Sequence, residues 1–197
     1  MDSQRWLQEY FEGYRQAIFQ LEIHPDLVRL KDVLIATQAA GKKVILAGNG
    51  GSAAIASHCT VDLTKGAGIR CVNFNEPDLI TCLANDYGYE RWLEQALRLY
   101  ADAGDLVILI SSSGRSPNMI FAAQHALQRS LRLVTFTGFD ADNPLRRLGE
   151  LNFWVDHRSY NVVEMTHHIW LLAVCDLLIG SAEDPAKGED TPHAVHR

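Results

Sequence analysis

Two short stretches of this chain carry residue types that could hold a ligand. The first is Gly48-Asn49-Gly50-Gly51-Ser52, which ends the apolar run Val44 to Ala47 and opens into Ala53-Ala54-Ile55-Ala56-Ser57-His58. Three glycines within four residues let a backbone approach a ligand closely, and Asn49 and Ser52 add polar side chains. The apolar run, lacking alternation, reads as a strand buried on both faces, and the Ala-rich stretch reads as a helix beginning near Ser52. A helix N-terminus presents free N–H groups, so a phosphate is the natural guest of such a turn. The turn matches neither common nucleotide loop. No Lys follows Gly51, as a Walker loop requires, and Ala53 stands where a dinucleotide fingerprint needs its third Gly.

The second stretch is Ser111-Ser112-Ser113-Gly114-Arg115-Ser116-Pro117-Asn118, at the end of the apolar run Leu106 to Ile110. Pro117 suits the first turn of a helix. One serine would cap that helix, but four hydroxyls beside a glycine exceed what capping needs. Such hydroxyls together with helix amides hold a phosphate without any lysine. Asn49, Gly50, Gly51 and Ser52 from the first loop, and Ser111, Ser112, Ser113 and Ser116 from the second, are therefore the candidate binding residues.

Strand, Gly-Asn-Gly-Gly-Ser, helix, then strand, Ser-Ser-Ser-Gly-x-Ser, helix, resembles the sugar isomerase (SIS) domain and its phosphoheptose isomerase branch, over about Trp6 to Gly180. His58, six residues after Ser52, and Asn85-Asp86 fit the same pattern. The resemblance implies a phosphorylated sugar as ligand, with Asp86 lining the sugar pocket, and an N-terminal helix that packs in a homotetramer. It allows zinc as cofactor, with His58 and Asp62 at the metal positions. That branch also contains a replication-initiation regulator that keeps both loops without the acid/base set, so a protein partner belongs to the alternative reading.

The titratable groups leave the chemistry open. His58 and Asp62 at i and i+4 share a helix face, where they can bind a divalent metal, work as an acid/base pair, or form a plain salt link. The family places a Glu at Asp62, one methylene longer. Aligned on Glu164-Met165, the last helix has Val163 and Leu171 where phosphoheptose isomerases carry a Gln and a His. It owns Glu164, His167 and His168 instead; His168 points roughly 60° away from Leu171 at 100° per residue. The expected catalytic pair is Asp62 with His168, Glu164 being the other candidate for the opposing acid. Three readings follow: an aldose–ketose isomerase on sedoheptulose 7-phosphate or a similar sugar, a non-catalytic sugar-phosphate scaffold, and a different sugar-phosphate enzyme with Arg115 altering its substrate.

These groups need rigid elements behind them. Strands alternating with helices predict a three-layer αβα sandwich with a parallel sheet of about five strands, preceded by N-terminal helices. At 197 residues and 47% hydrophobic the chain suits one domain, over 1–180, followed by a disordered polar tail over 181–197. The expected elements are helices over 3–21 and from 24, strands at 44–48, 69–74, 106–110, 131–137 and 151–155, a short helix over 77–83 with Asn85-Asp86 in the turn after it, and a final helix over 162–179. The apolar stripe of the first helix, with Trp6, Leu7, Tyr10 and Tyr14, calls for self-association. A net charge of −6 without a basic cluster argues against nucleic acid. Four cysteines without a CxxC pair suit a reducing compartment. No apolar run is judged long enough to span a membrane, and the expected location is cytoplasmic.

Overall fold

The computed structural model describes residues 2–180; the tail reading for 181–197 lies outside the described residues. The elements are α1 (Ser3–Ile18), α2 (His24–Ala39), β1 (Val44–Gly48), α3 (Gly51–Lys65), β2 (Cys71–Asn73), α4 (Pro77–Tyr87), α5 (Trp92–Tyr100), β3 (Leu106–Ser111), α6 (Pro117–Gln128), β4 (Arg132–Gly138), β5 (Leu151–Val155) and α7 (Tyr160–Ile179). Short 3-10 turns precede α2 and β5. All five strands are parallel, in the order β2-β1-β3-β4-β5. The αβα sandwich expected from the sequence is the one observed.

Successive strand residues face opposite sides of the sheet, and each side has its own core. Leu46, Ile108, Phe136 and Phe153 pack beneath α1, α2, α3 and α7, while Ile45, Val107, Leu109 and Leu133 pack against α4, α5 and α6. Phe136 and Phe153 stack with ring centroids 4.5 Å apart. Each such fully buried side chain contributes about 1.5–3 kcal/mol of apolar burial.

Several boundaries shift, most by one or two residues, and three of the differences bear on the fold or the site. α1 stops at Ile18 rather than Leu21, and β2 shrinks to three residues at the sheet edge. α4 runs one turn further than its apolar pattern suggests and ends at Tyr87, where Gly88 takes φ +86°. Asn85 and Asp86 therefore sit in helix rather than in a turn. The last helix does end at Gly180, with φ +84°.

The expectation about membrane length needs correcting. α7 has 20 residues and a mean hydropathy of 1.6, enough by length and composition to cross a bilayer. Its Val162, Val163, Trp170, Leu171 and Val174 instead fill the core between the sheet and α1, α2 and α3. An apolar helix is what a position packed on several sides requires.

Candidate active site

The chain leaves β1 through α3 toward β2 and leaves β3 through α6 toward β4. β1 and β3 are neighbours, so α3 and α6 depart to opposite faces and a crevice opens between the two strand ends. This reversal of strand order is where open α/β sheets bind ligands. Gly48 lies opposite Ile110, which brings the glycine turn and the serine turn side by side. One cavity of about 280 Å³ results, lined by Asn49, Gly50, Gly51 and Ser52 on one side and Ile110, Ser111, Ser112, Ser113 and Ser116 on the other, with Tyr160 and Glu164 of α7 closing it. All eight loop residues singled out from the sequence reach this cavity.

The serine side leaves polar groups without partners in the protein. α6 has no side-chain cap and no acidic residue in its first turn, although Ser116 occupies the N-cap position. Pro117 has no N–H and the Met119 and Ile120 N–H groups donate to the Ser116 carbonyl, so the Asn118 N–H and the Ser116 hydroxyl are the groups of this turn left for a ligand. Ser112 is 4% exposed, and its hydroxyl makes no hydrogen bond within the protein. A buried hydroxyl left unmatched costs about 1–3 kcal/mol, which a ligand oxygen can recover. Ser113 folds the loop by accepting a hydrogen bond from the Arg115 N–H at 3.2 Å. Gly114 has φ +60°, and a side chain there would run into Asn143. Arg115 turns away from the cavity, its guanidinium 3.5 Å from Asp140 and 3.7 Å from Asp142, with Arg158 bound to the same Asp140 at 2.6 Å. It braces the loop against the segment after β4.

The glycine side differs. A Cβ on Gly51 would collide with the Glu164 carboxylate, so this glycine makes room for a side chain of the protein itself. Burial holds the Glu164 carboxyl above its ordinary range, opposed by hydrogen bonds from the Ser52 hydroxyl and N–H. Glu164 is the one carboxylate among the residues lining the cavity. The two loops are joined by a reciprocal pair of carboxamides: Asn49 Nδ2 donates to Asn118 Oδ1 at 3.0 Å, and Asn118 Nδ2 donates to Asn49 Oδ1 at 2.9 Å. The Tyr89 hydroxyl donates to the same Asn49 oxygen at 3.2 Å. Asn118 is 2% exposed. Neither its role nor that of Tyr160 is visible locally, because each depends on contacts with distant segments.

The remaining candidates lie outside the cavity lining. His58 Nδ1 is 2.8 Å from His168 Nε2, and His58 Nε2 is 3.3 Å from Asp62 Oδ2, so Asp62, His58 and His168 form a chain across the α3–α7 seam. Burial and the neighbouring His58 lower the His168 pKa, while Asp62 opposes them. His168 is four residues after Glu164, hence one turn further along the same helix face. Asp86 sits on α4, with its carboxylate 3.0 Å from Asn85 Nδ2 and facing Cys82, and does not line the cavity. The extra turn of α4 fixes it there. His167 is buried and bonded at 2.9 Å to the Thr137 carbonyl; burial lowers its pKa to about 4. Val163 and Leu171 are both core residues, and Val163 packs against Gly138 at the end of β4.

The zinc that the resemblance allows does not fit these residues. Both ring nitrogens of His58 are engaged by protein partners, and among the described residues no three His, Cys, Asp or Glu side chains converge as a metal cage. No step is routed through a metal.

The SIS domain family model matches residues 9–138 of this chain. The phosphoheptose isomerase of Fusobacterium nucleatum subsp. nucleatum is 31% identical over 162 residues, covering 80% of this chain and 83% of that protein. Among solved structures, a phosphoheptose isomerase from Francisella tularensis superposes with a TM-score of 0.84 at 21% identity, over 92% of this chain and all of that one. The phosphoheptose isomerase GmhA from Neisseria gonorrhoeae gives 0.83 at 24% identity, over 91% and 100%. Two loops of the expected spacing meeting over one cavity, on a sheet of this topology, agree with those matches, and the chain belongs to the SIS domain family.

Proposed function

We propose that this protein is an aldose–ketose isomerase of a phosphorylated sugar, of the phosphoheptose type. The observation that carries the reading is the single cavity in which an uncapped helix N-terminus and the unmatched Ser112 hydroxyl face a carboxylate from α7. The serine loop and the first turn of α6 hold the phosphate. Binding energy gathered at that end positions the carbonyl end for reaction. Asn49 and Ser52 meet sugar hydroxyls; Asp86 would join them only through a movement of α4. His168, which lies outside the cavity lining and is backed by His58 and Asp62, passes through water the hydroxyl proton that must cross between the two oxygens during isomerisation. The names of the similar proteins support the substrate class.

Exposed Trp6, Leu7 and Phe11 on α1 support assembly into a homotetramer, and a cytoplasmic location suits a protein of this chemistry. A second reading, a sugar-phosphate-binding scaffold with a protein partner, is favoured by one observation: Val163 and Leu171 are buried apolar residues where the resembling enzymes carry polar ones. The deciding experiment is NMR of the purified protein with sedoheptulose 7-phosphate. Appearance of the aldose supports the enzyme; binding measured by calorimetry without turnover supports the scaffold; absence of both removes the sugar-phosphate assignment.

A further inference from the structure

We propose that Glu164 is the base that removes the carbon-bound proton, a catalytic residue in place of the expected Asp62. The inference rests on the isomerase reading and names the group that reading leaves open. Isomerisation needs a base within about 3 Å of the reacting carbon, and a candidate must first satisfy geometry. Asp62 fails this test because its carboxylate turns to His58 on the α3–α7 seam and lines no part of the cavity. Glu164 meets it, reaching in from α7 over Gly51 to line the cavity shared with the serine loop. The protein reserves this place, since any side chain at position 51 would displace the carboxylate. Burial makes Glu164 more basic than an ordinary carboxylate, in the direction a proton acceptor near neutral pH requires.

The step balances with two groups, Glu164 for the carbon-bound proton and His168 for the oxygen-bound one. The ionised Glu164 takes the proton from the carbon bearing the hydroxyl beside the carbonyl. The C–H electron pair forms the enediol double bond as the carbonyl oxygen gains a proton from protonated His168 by way of water in the cavity. Protonated Glu164 then returns its proton to the former carbonyl carbon. The pair in the other O–H bond closes the new carbonyl as that hydroxyl proton leaves by way of His168. No oxidant or reductant is consumed.

A purely structural role is also conceivable, because the carboxylate accepts from Ser52 at the start of α3. Glu164→Gln separates the two, since its amide oxygen still accepts a hydrogen bond but cannot take up a proton. With sedoheptulose 7-phosphate as probe, the expected result is calorimetric affinity within about threefold of the unmutated protein. Turnover and solvent-deuterium incorporation at the reacting carbon should fall together by about 10²–10⁴-fold. Glu164→Asp, which keeps the acid, should recover part of both. Turnover above a tenth of the original in Glu164→Gln overturns the inference while leaving the isomerase reading intact. So does loss of binding in both variants, which would mark a structural role. An unmutated protein that binds the sugar but neither isomerises it nor exchanges its carbon-bound hydrogen overturns the isomerase reading and this inference with it.

Discussion

The two loops at the centre of the molecule look alike in sequence and behave oppositely in structure. Each ends a buried parallel strand and starts a helix, and each is composed of small residues. At the serine loop the helix start has no side-chain cap and one buried hydroxyl has no partner, so that side is open to an outside ligand under the proposed function. At the glycine loop a carboxylate of the protein already occupies the approach to the first turn of α3. Small residues at a strand end therefore do not by themselves mark a phosphate site. What lies across from them decides whether they admit a ligand or a neighbouring side chain.

The largest effect that would test this contrast is the loss of turnover in Glu164→Gln described above. The same variant sharpens it from the stability side. A carboxyl whose pKa is raised on folding adds stability below its unfolded value, near 4.5, and loses it as pH rises through the higher folded value. At neutral pH the ionised Glu164 thus works against the fold. Glu164→Gln should melt no lower than the unmutated protein at pH 7, and its advantage should shrink toward pH 4; calorimetric scans across that range check the sign.

Next in size is Gly114→Ala. Its φ of +60° and the collision with Asn143 should cost roughly 1–3 kcal/mol or more, seen as a lower urea midpoint. Sugar-phosphate binding should weaken as the serine loop shifts. Ser112→Ala should show the reverse pattern. Losing one hydroxyl from the cradle should raise Kd about tenfold, while the melting temperature stays unchanged or rises, since that hydroxyl is unmatched in the free protein. A drop in stability with unchanged affinity would show that the serine loop is a structural corner rather than the phosphate end.

The smallest effect is expected from Asp62→Asn. It stands two contacts behind His168, and its removal should lower turnover less than tenfold with no change in KM. A loss as large as that of Glu164→Gln would return Asp62 to the chemical step.

The sheet and both loops were legible in the sequence because their signals are local: unbroken apolar runs, then glycine or serine clusters, then helix formers. The family resemblance rests on the same stretches. What the sequence hid is contact between distant segments. Glu164 was readable as a candidate opposing acid, but its place over Gly51 shows only when α7 is laid beside α3. His58 and His168 are 110 positions apart, and nothing in either neighbourhood announces their 2.8 Å contact. Asp86 was misplaced for a different reason. Gly88, not the weakening apolar pattern after Leu83, stops α4, so a residue expected in a turn is carried on a helix.

The paired carboxamides of Asn49 and Asn118 bear on how this site can change over time. Each amide gives and takes within one closed loop of bonds, and because Asn118 is 2% exposed while Asn49 lines the cavity and also accepts from Tyr89, altering Asn49 strands Asn118 in a nearly dry setting. A lineage that replaces Asn49 must therefore remodel the opposite rim at Asn118 in the same stroke, so viable changes at position 49 should arrive as doubles rather than singles.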